Sequence, residues 1–333
     1  MTAIDRFGVR LAPLIGLLLS GAVVAVAPWG ARAQDRGVQP LRILVPVPTG
    51  GTSDLVARLI ADSLRHDLGQ AVVIEDRSGA TGRIAVDALL RAAPDGRTLL
   101  LAPIAVPVIG PLVFKALRYD PAKDLAPVAQ VAKYEFAFAV AADHPARTVP
   151  EFVAWARANP ARATVGNPGA GSLPHFLGMM LGRAADIELI HVAYKSVAPL
   201  EAELMSGQIA AGISALSDLA PLHRAGKLRI LATSGAARSP LLPQVPTFGQ
   251  QGFPGIEAVG WHGLYAPAKT PQPVVDQLSR TIVAALQTPV LQQKFIALGL
   301  EPTGTTPQAL AEIMAADTAR WRPIIQAGGF TAD

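Results

Sequence analysis

Apolar and polar residues follow one another along the chain in blocks, and the spacing inside each block predicts a helix or a strand. The run 41–47 is almost continuously apolar, which is typical of a strand buried on both faces. Gly50 and Gly51 interrupt it, and Thr52-Ser53-Asp54 then supplies residues that favour a helix N-cap. Apolar positions recur with helical spacing over 53–68. Such a strand, glycine turn and helix N-terminus expose backbone N–H donors, which suits the binding of an anion.

The same alternation predicts an α/β fold for the rest of the chain. We expect strands at 71–75, 98–102, 134–142, 163–166, 188–192, 209–213, 227–233 and 260–265. We expect helices at 84–92, 150–159, 174–183, 199–206, 219–225, 272–286, 289–298 and 307–327. Because strands and helices alternate, the pattern indicates parallel sheets with right-handed crossovers, arranged as two units.

The first 33 residues predict an export signal. Arg6 and Arg10 precede an apolar segment over 11–29, and Ala31-Arg32-Ala33 matches the small-residue pattern of a cleavage site. A membrane anchor is the alternative, since about 20 apolar residues span a bilayer. Two prolines interrupt the segment, however, and the cleavage pattern follows it directly. We therefore expect cleavage after Ala33 and a soluble exported protein.

Composition narrows the function classes. The chain carries 29 basic and 25 acidic residues, a net charge of +4 that is too small and too evenly spread for a nucleic-acid surface. It has no cysteine, so disulfides and thiolate chemistry are excluded. The sequence contains no G-x-S-x-G elbow, no G-x-x-x-x-G-K-[ST] loop and no H-E-x-x-H pair. We therefore predict that the protein is not an enzyme and uses neither a cofactor nor a metal ion.

Six segments, in order along the chain, resemble the Bug family, the periplasmic solute receptors of tripartite tricarboxylate transporters. They are the P-x-G-G-x-x-D-x-x-A-R segment at 48–58, the loop 76–82 with 93–100, the G-x-G-S-x-x-H loop at 169–175, the Tyr-Lys segment at 194–199, and the segments 225–229 and 242–247. Each motif is weak alone. Their common order behind a signal sequence makes the resemblance specific, and it covers nearly the whole chain after residue 33.

The resemblance implies a two-lobed, type II periplasmic-binding-protein fold of the α/β class. Each lobe would be a mixed sheet flanked by helices, with the ligand in a cleft between the lobes. Lobe one would comprise 38–133 and 264–333, lobe two 134–263, and the chain would cross between them near 133–135 and 260–263. The chain would be a periplasmic monomer that binds a small organic acid and hands it to a membrane permease. The alternative is a sensory protein that presents the same ligand to the ectodomain of a sensor kinase.

The resemblance also implies a set of ligand-binding residues, whose backbone amides would hold a carboxylate. On the first lobe they are Pro48, Thr49, Gly50, Gly51, Ser53, Asp54, Gly79 and Ala80; on the second they are Gly169, Ala170, Gly171, Ser172, His175, Tyr194, Lys195 and Ser214. Each loop also has a purely structural interpretation as a βα turn or a helix N-cap. His175 is more typical of a packed or capping histidine than of a ligand contact, and Lys195 is also typical of a solvated surface lysine. We expect the variant Gly171→Val to impair binding more than folding.

The chain departs from the family pattern at Asp76, Thr81, Ser196 and Ser214. Ser214 stands where many members carry an aspartate that is placed to meet an amino group. Without that carboxylate, the cleft is expected to hold less negative charge. The sequence therefore predicts that simple di- or aromatic carboxylates bind more tightly than aspartate or glutamate.

Overall fold

The computed structural model describes residues 39–47 and 49–332, so the predicted signal sequence and Pro48 lie outside the described residues. The strands are β1 Leu41–Val45, β2 Val72–Asp76, β3 Thr98–Pro103, β4 Leu125–Ala141, β5 Thr164–Asn167, β6 Ile190–Ala193, β7 Ala211–Ala215, β8 Leu228–Thr233, β9 Val259–Pro267 and β10 Glu301–Pro302. The helices are α1 Thr52–Leu68, α2 Arg83–Leu90, α3 Gly110–Val113, α4 Pro121–Asp124, α5 Val149–Ala158, α6 Leu173–Ala185, α7 Val197–Met205, α8 Leu216–Arg224, α9 Gln272–Leu286, α10 Pro289–Ala297 and α11 Pro307–Gly328. Within these ranges, no helix has the length and apolar character needed to cross a membrane.

The first part of the sheet contains the parallel pairs that the sequence predicts. β1 lies between β2 and β3 and pairs in parallel with both. Successive residues of β1 enter different cores: Ile43 packs in the cluster that includes Ile60 of α1, and Leu44 packs with Val86 of α2. Both β1 residues are fully buried, as expected of a strand with helices on both faces. β9 adds to β3 in the antiparallel sense, so this part of the sheet is mixed.

The long strand β4 belongs to both parts of the sheet. Its residues 125–135 pair with β9, and its residues 136–141 pair with β7 and β8. The register with β9 shifts twice, between Pro127 and Ala129 and between Gln130 and Ala132, and such irregularities bend a strand. β5 then pairs in parallel with β6 and β7. The change of partners after residue 135 falls where the sequence predicts a crossing; the lobe limits themselves stay a prediction.

The sequence locates β4 only in part. The expected strand began at residue 134, whereas the observed strand begins at Leu125. The residues before 134 were not predicted as strand because they include Pro127, and proline is uncommon inside a strand. In the structure Pro127 lies at one of the register shifts, where the regular pairing is interrupted. The short strand β10, which pairs with Lys133 and Ala132 of β4, was not predicted either.

The C-terminal helix α11 contacts both β4 and α6. There the Arg183 guanidinium donates to the carbonyl of Ala327 at 2.7 Å. The ring centroids of Phe176 and Phe330 lie 5.8 Å apart. The final turn of the chain therefore packs against α6, a helix of the second α/β unit.

Candidate ligand-binding site

A cavity of about 630 Å³ lies between the first turn of α1, the start of α8 and the segment 297–300. We call it the α1–α8 cavity. Its volume falls in the usual range for small-molecule sites, roughly 300–1,000 Å³. The polar and charged residues that line it are Thr49, Thr52, Lys195, Ser196, Ser217, Asp218 and Arg224, together with the backbone of Gly50 and Gly51. Apolar side chains, among them Val47, Leu55, Val197, Leu241 and Leu298, form the rest of the lining.

The N-terminus of α1 presents backbone donors at this cavity. Gly51 is the N-cap, in an extended conformation, and no side-chain cap is found for it among the described residues. The backbone ladder begins with the N–H of Leu55, which donates to the carbonyl of Gly51 at 3.1 Å. The N–H groups of Thr52, Ser53 and Asp54 therefore lie outside the intrahelical ladder. A helix of 17 residues also places the positive end of its dipole at this point.

Two amides of the preceding loop are already bonded to carboxylates of the chain itself. Asp54 accepts from the N–H of Gly50 at 3.0 Å and from Arg58 at 2.9 Å. Burial alone would raise the pKa of Asp54, but these hydrogen bonds bring it below its ordinary value. Asp76 accepts from the N–H of Thr49 at 3.1 Å. The sequence predicts an anion site over the whole loop 49–53. Because the Thr49 and Gly50 amides already have intramolecular partners, fewer backbone donors of this loop are available to an anion.

Ser53 points into the protein and links α1 to β9. Its hydroxyl lies 2.8 Å from Nε2 of His262, and both residues are buried. Complete burial lowers the pKa of His262 to about 3, so its imidazole is neutral near pH 7. Ser53 is not among the described residues that line the cavity; its contact fixes the position of the first turn of α1.

The second glycine loop of the first unit has an unusual backbone. Gly79, Ala80, Thr81 and Gly82 all have positive φ, at 113°, 47°, 56° and 88°. Thr81 replaces the glycine of the family pattern, and a non-glycine residue in this region costs about 1–2 kcal/mol. Gly82 is required, since a Cβ there would lie 2.7 Å from Val106. In the described chain, neither Gly79 nor Ala80 lines the α1–α8 cavity; Ala80 lines a separate pocket of about 240 Å³.

The loop 169–175 is held by its own hydrogen bonds. The N–H of Gly169 donates to the side chain of Asn167 at 3.2 Å, and the N–H of Gly171 donates to Nδ1 of His175 at 3.1 Å. Ser172 caps α6 by accepting from the N–H of His175. Of the described residues in this region, Pro168 lines the cavity, whereas Gly169, Ala170, Gly171 and Ser172 do not.

Gly171 and His175 face the end of the chain. A Cβ on Gly171 would lie 2.7 Å from the ring of Phe330, so this glycine is required by the C-terminal segment. The His175 ring packs edge-on against Phe330 and His191. Burial, with a smaller effect from His191, lowers the pKa of His175 to about 4. These contacts correspond to the structural interpretation of both residues.

Tyr194 and Lys195 follow β6 but have different surroundings. The Tyr194 hydroxyl donates to Glu203 of α7 at 2.5 Å. Burial and this carboxylate raise the pKa of the Tyr194 hydroxyl. Lys195 is exposed and lines the cavity, and no carboxylate of the described chain lies within ion-pair distance of it. Lys195 is therefore available to an anion in the cavity, and Tyr194 is engaged elsewhere.

Ser214 requires a correction. It was expected to line the cleft, but it is fully buried on β7 and is absent from the described lining of the cavity. Its hydroxyl donates instead to Asp218, in the first turn of α8, at 2.7 Å. Asp218 itself lines the cavity. The premise that this site lacks an acidic group was therefore incorrect, because the carboxylate is supplied four residues later in the sequence.

The fold and this cavity define a class of solute-binding proteins, and comparison with known sequences agrees. Residues 56–330 match the family described as "Tripartite tricarboxylate transporter family receptor" (TctC). Protein BugT of Bordetella pertussis is 30% identical over 321 residues, which cover 96% of this chain and 98% of BugT. The chain belongs to this receptor family, and the resemblance deduced from the six sequence segments is confirmed.

Solved structures confirm the predicted fold class. The Rhodopseudomonas palustris protein Rpa4515, solved with adipate, is 32% identical and has a TM-score of 0.82, over 89% of this chain and 99% of that protein. MatC of the same organism, solved with bound malate, is 28% identical with a TM-score of 0.77, over 86% of this chain and 99% of MatC. The chain thus has the two-lobed α/β periplasmic-binding-protein fold. Its family is one of solute receptors, in agreement with the prediction that it is not an enzyme.

Proposed function

We propose that this protein binds a small carboxylate-bearing solute in the α1–α8 cavity and delivers it to the permease of a tripartite tricarboxylate transporter. The observation that carries the proposal is the N-terminus of α1, which meets the cavity without a side-chain cap in the described chain. Lys195 adds a cation to the same lining. Malate and adipate, bound by the two relatives named above, are both dicarboxylates.

A carboxylate suits this position for electrostatic reasons. The N-terminal end of a helix carries the equivalent of about half a positive charge. Hydrogen bonds from N–H groups to a charged acceptor contribute roughly 1.5–3 kcal/mol each. Backbone donors do not titrate, so affinity should follow the ionisation of the ligand. We assign the binding of the carboxylate to the N–H groups of Gly51 and Thr52, which both line the cavity.

The variant Thr52→Pro tests this assignment because it removes one donor and little else. Thr52 is the first residue of α1, where proline is well tolerated. Gly51 already has the extended conformation that a residue before proline prefers. We expect Thr52→Pro to bind adipate or malate about 10- to 100-fold more weakly by calorimetry, with an unchanged melting temperature. Thr52→Ala retains the N–H and is the matched control; equal affinity of Thr52→Pro and Thr52→Ala would contradict the assignment.

The ligand arm of the test compares an acid with its neutral amide. Adipate and adipamide have the same carbon chain, but only adipate carries negative charge. Adipate should raise the melting temperature in scanning fluorimetry and adipamide should not. A ligand at 100 times its Kd stabilises the native state by about 2.7 kcal/mol, which such an assay detects easily. If adipamide bound as well as adipate, a carboxylate would not be the recognised group.

Delivery and export are tested in cells. We propose cleavage after Ala33 and release into the periplasm, which mass spectrometry of the exported chain would check. Uptake of labelled acid should depend on this protein and fall in the Thr52→Pro strain. Normal uptake without the protein would favour the sensory alternative.

We also propose that the chain forms two lobes that close on the ligand. Lobe one comprises 38–133 and 264–333, and lobe two comprises 134–263. Closure would lower the radius of gyration that X-ray scattering measures.

A further inference from the structure

His262 lies on the face of β9 that packs against α1. Side chains alternate along this strand: Leu264 belongs to the core cluster that contains the apolar face of α1, and Trp261 belongs to the cluster on the opposite face. His262 shares the face of Leu264, and its Nε2 lies 2.8 Å from the hydroxyl of Ser53. Ser53 is the second residue of α1 and directly follows Thr52.

The strand holds His262 in place through its neighbours. The indole Nε1 of Trp261 donates to Asp317 of α11 at 2.7 Å, and the carbonyl of Trp261 accepts from the N–H of Ile104 at 2.9 Å. Tyr134 of β4 packs against the imidazole, with the ring centroids 5.2 Å apart. His262 is thus supported by α11 and β4, close to the point where β4 changes its partners from β9 to β7 and β8.

The contact with Ser53 is the polar connection between this support and α1. Ser53 is 5% exposed and His262 is 1% exposed. The other ring nitrogen of His262, Nδ1, has no hydrogen-bond partner among the described residues. A buried polar group without a partner is costly, so displacement of Ser53 would leave the whole imidazole unsatisfied. The contact therefore opposes movement of the first turn of α1.

This turn carries the donors that we assign to the carboxylate. Gly51 and Thr52 line the α1–α8 cavity, whereas Ser53 and His262 are absent from its described lining. The strength of a hydrogen bond falls steeply when the donor is turned away from the acceptor. Because Thr52 is joined to Ser53 by one peptide bond, a shift of Ser53 also redirects the backbone at Thr52.

We infer that His262 is a positioning residue for carboxylate binding, which acts through Ser53 to direct the N–H of Thr52 at the ligand. The inference rests on the proposed function and deepens it. It makes the affinity for the ligand depend on a side chain that lies outside the cavity lining. Binding sites generally need such supporting residues, because their donors must be held within about 0.5 Å of the productive position.

Two variants remove the contact from opposite ends. Ser53→Ala removes the hydroxyl, and His262→Leu removes the imidazole. Each should weaken the binding of adipate or malate about 5- to 20-fold in calorimetry at pH 7. The double variant should be within about twofold of the weaker single variant, since both changes break one contact. His262→Gln retains a group that can hydrogen-bond to Ser53, and should recover most of the affinity that His262→Leu loses.

A further variant pair separates positioning from general destabilisation. Thr52→Pro lacks the N–H that His262 is inferred to direct, so adding Ser53→Ala to it should weaken binding by less than about threefold. General destabilisation would instead lower the affinity equally in both backgrounds. Gly69→Ala is the control at the far end of α1: it should lower the melting temperature and leave the affinity within about twofold.

The outcomes distinguish this inference from the proposed function. If Ser53→Ala and His262→Leu bind like the wild type, or if Ser53→Ala costs as much in the Thr52→Pro background, the inference is overturned and carboxylate binding stands. Ser53→Ala leaves the buried imidazole in place, so it decides the question even if His262→Leu does not fold. If the unmodified protein binds neither adipate nor malate nor another carboxylate, the proposed function fails and this inference with it.

Discussion

We predict that the burial of His262, beside Ser53, makes the stability of the protein sensitive to acid. The histidine is fully buried at 2.8 Å from Ser53, and burial lowers its pKa from 6.5 to about 3. In the unfolded chain the imidazole regains its ordinary pKa. The contribution of His262 to stability is therefore complete above about pH 6.5 and is lost progressively as the pH falls towards 3.

The magnitude follows from the two pKa values. Each pH unit between them costs about 1.4 kcal/mol, because the unfolded state binds a proton that the native state excludes. At about pH 4.5, two units below the unfolded pKa, His262 should have removed about 2.7 kcal/mol from the free energy of unfolding. That is a large part of the roughly 5–15 kcal/mol that stabilises an ordinary domain.

The assay is urea unfolding at pH 7 and pH 4.5, followed by circular dichroism, on the wild type and on His262→Gln. Glutamine retains hydrogen-bonding groups for Ser53 but does not titrate in this range. The loss of stability between the two pH values should be smaller in His262→Gln by about 2–3 kcal/mol. Identical losses in His262→Gln and wild type would refute the reasoning, whatever the stability of the variant at pH 7.

Two glycine substitutions test backbone requirements by thermal or urea unfolding. From sequence, Gly171→Val was expected to impair binding more than folding; the contact with Phe330 instead leads us to expect a loss of about 2–4 kcal/mol in stability, since φ is +75° and the side chain would meet that ring. Recovery of part of this loss in a Phe330→Ala background would attribute it to the clash, and no recovery would contradict that cause. Gly69→Ala should cost about 1 kcal/mol because Gly69 ends α1 with φ of 59° in open space. Gly255→Ala, also in open space but without positive φ, should be nearly neutral, and an equal loss in both alanine variants would contradict the role of φ.

Local features of the sequence determined the elements on which the site is built. The apolar run at 41–47 became the buried strand Leu41–Val45, and the helix expected over 53–68 was observed at Thr52–Leu68 with Gly69 as its left-handed cap. These predictions succeeded because burial of a strand and the ends of a helix depend on residues that are close in sequence. The order of six short motifs also identified the family, which a single motif would not have done.

The tertiary structure decided which of these residues meet a ligand cavity. Ser53 and His262 are 209 positions apart, and their contact turns the Ser53 side chain away from the cavity. Gly171 faces Phe330, which lies near the C-terminus of the chain. The acidic group at the cavity is Asp218, whereas Ser214 is buried behind it and donates to its carboxylate. Periodicity and motif spacing do not contain these relations, because they arise from the packing of elements that are distant in sequence. The sequence by itself thus determined the family, the α/β fold and the first turn of α1, whereas the packing of α1, α8 and the segment 297–300 around one cavity decided the chemistry of the cavity wall.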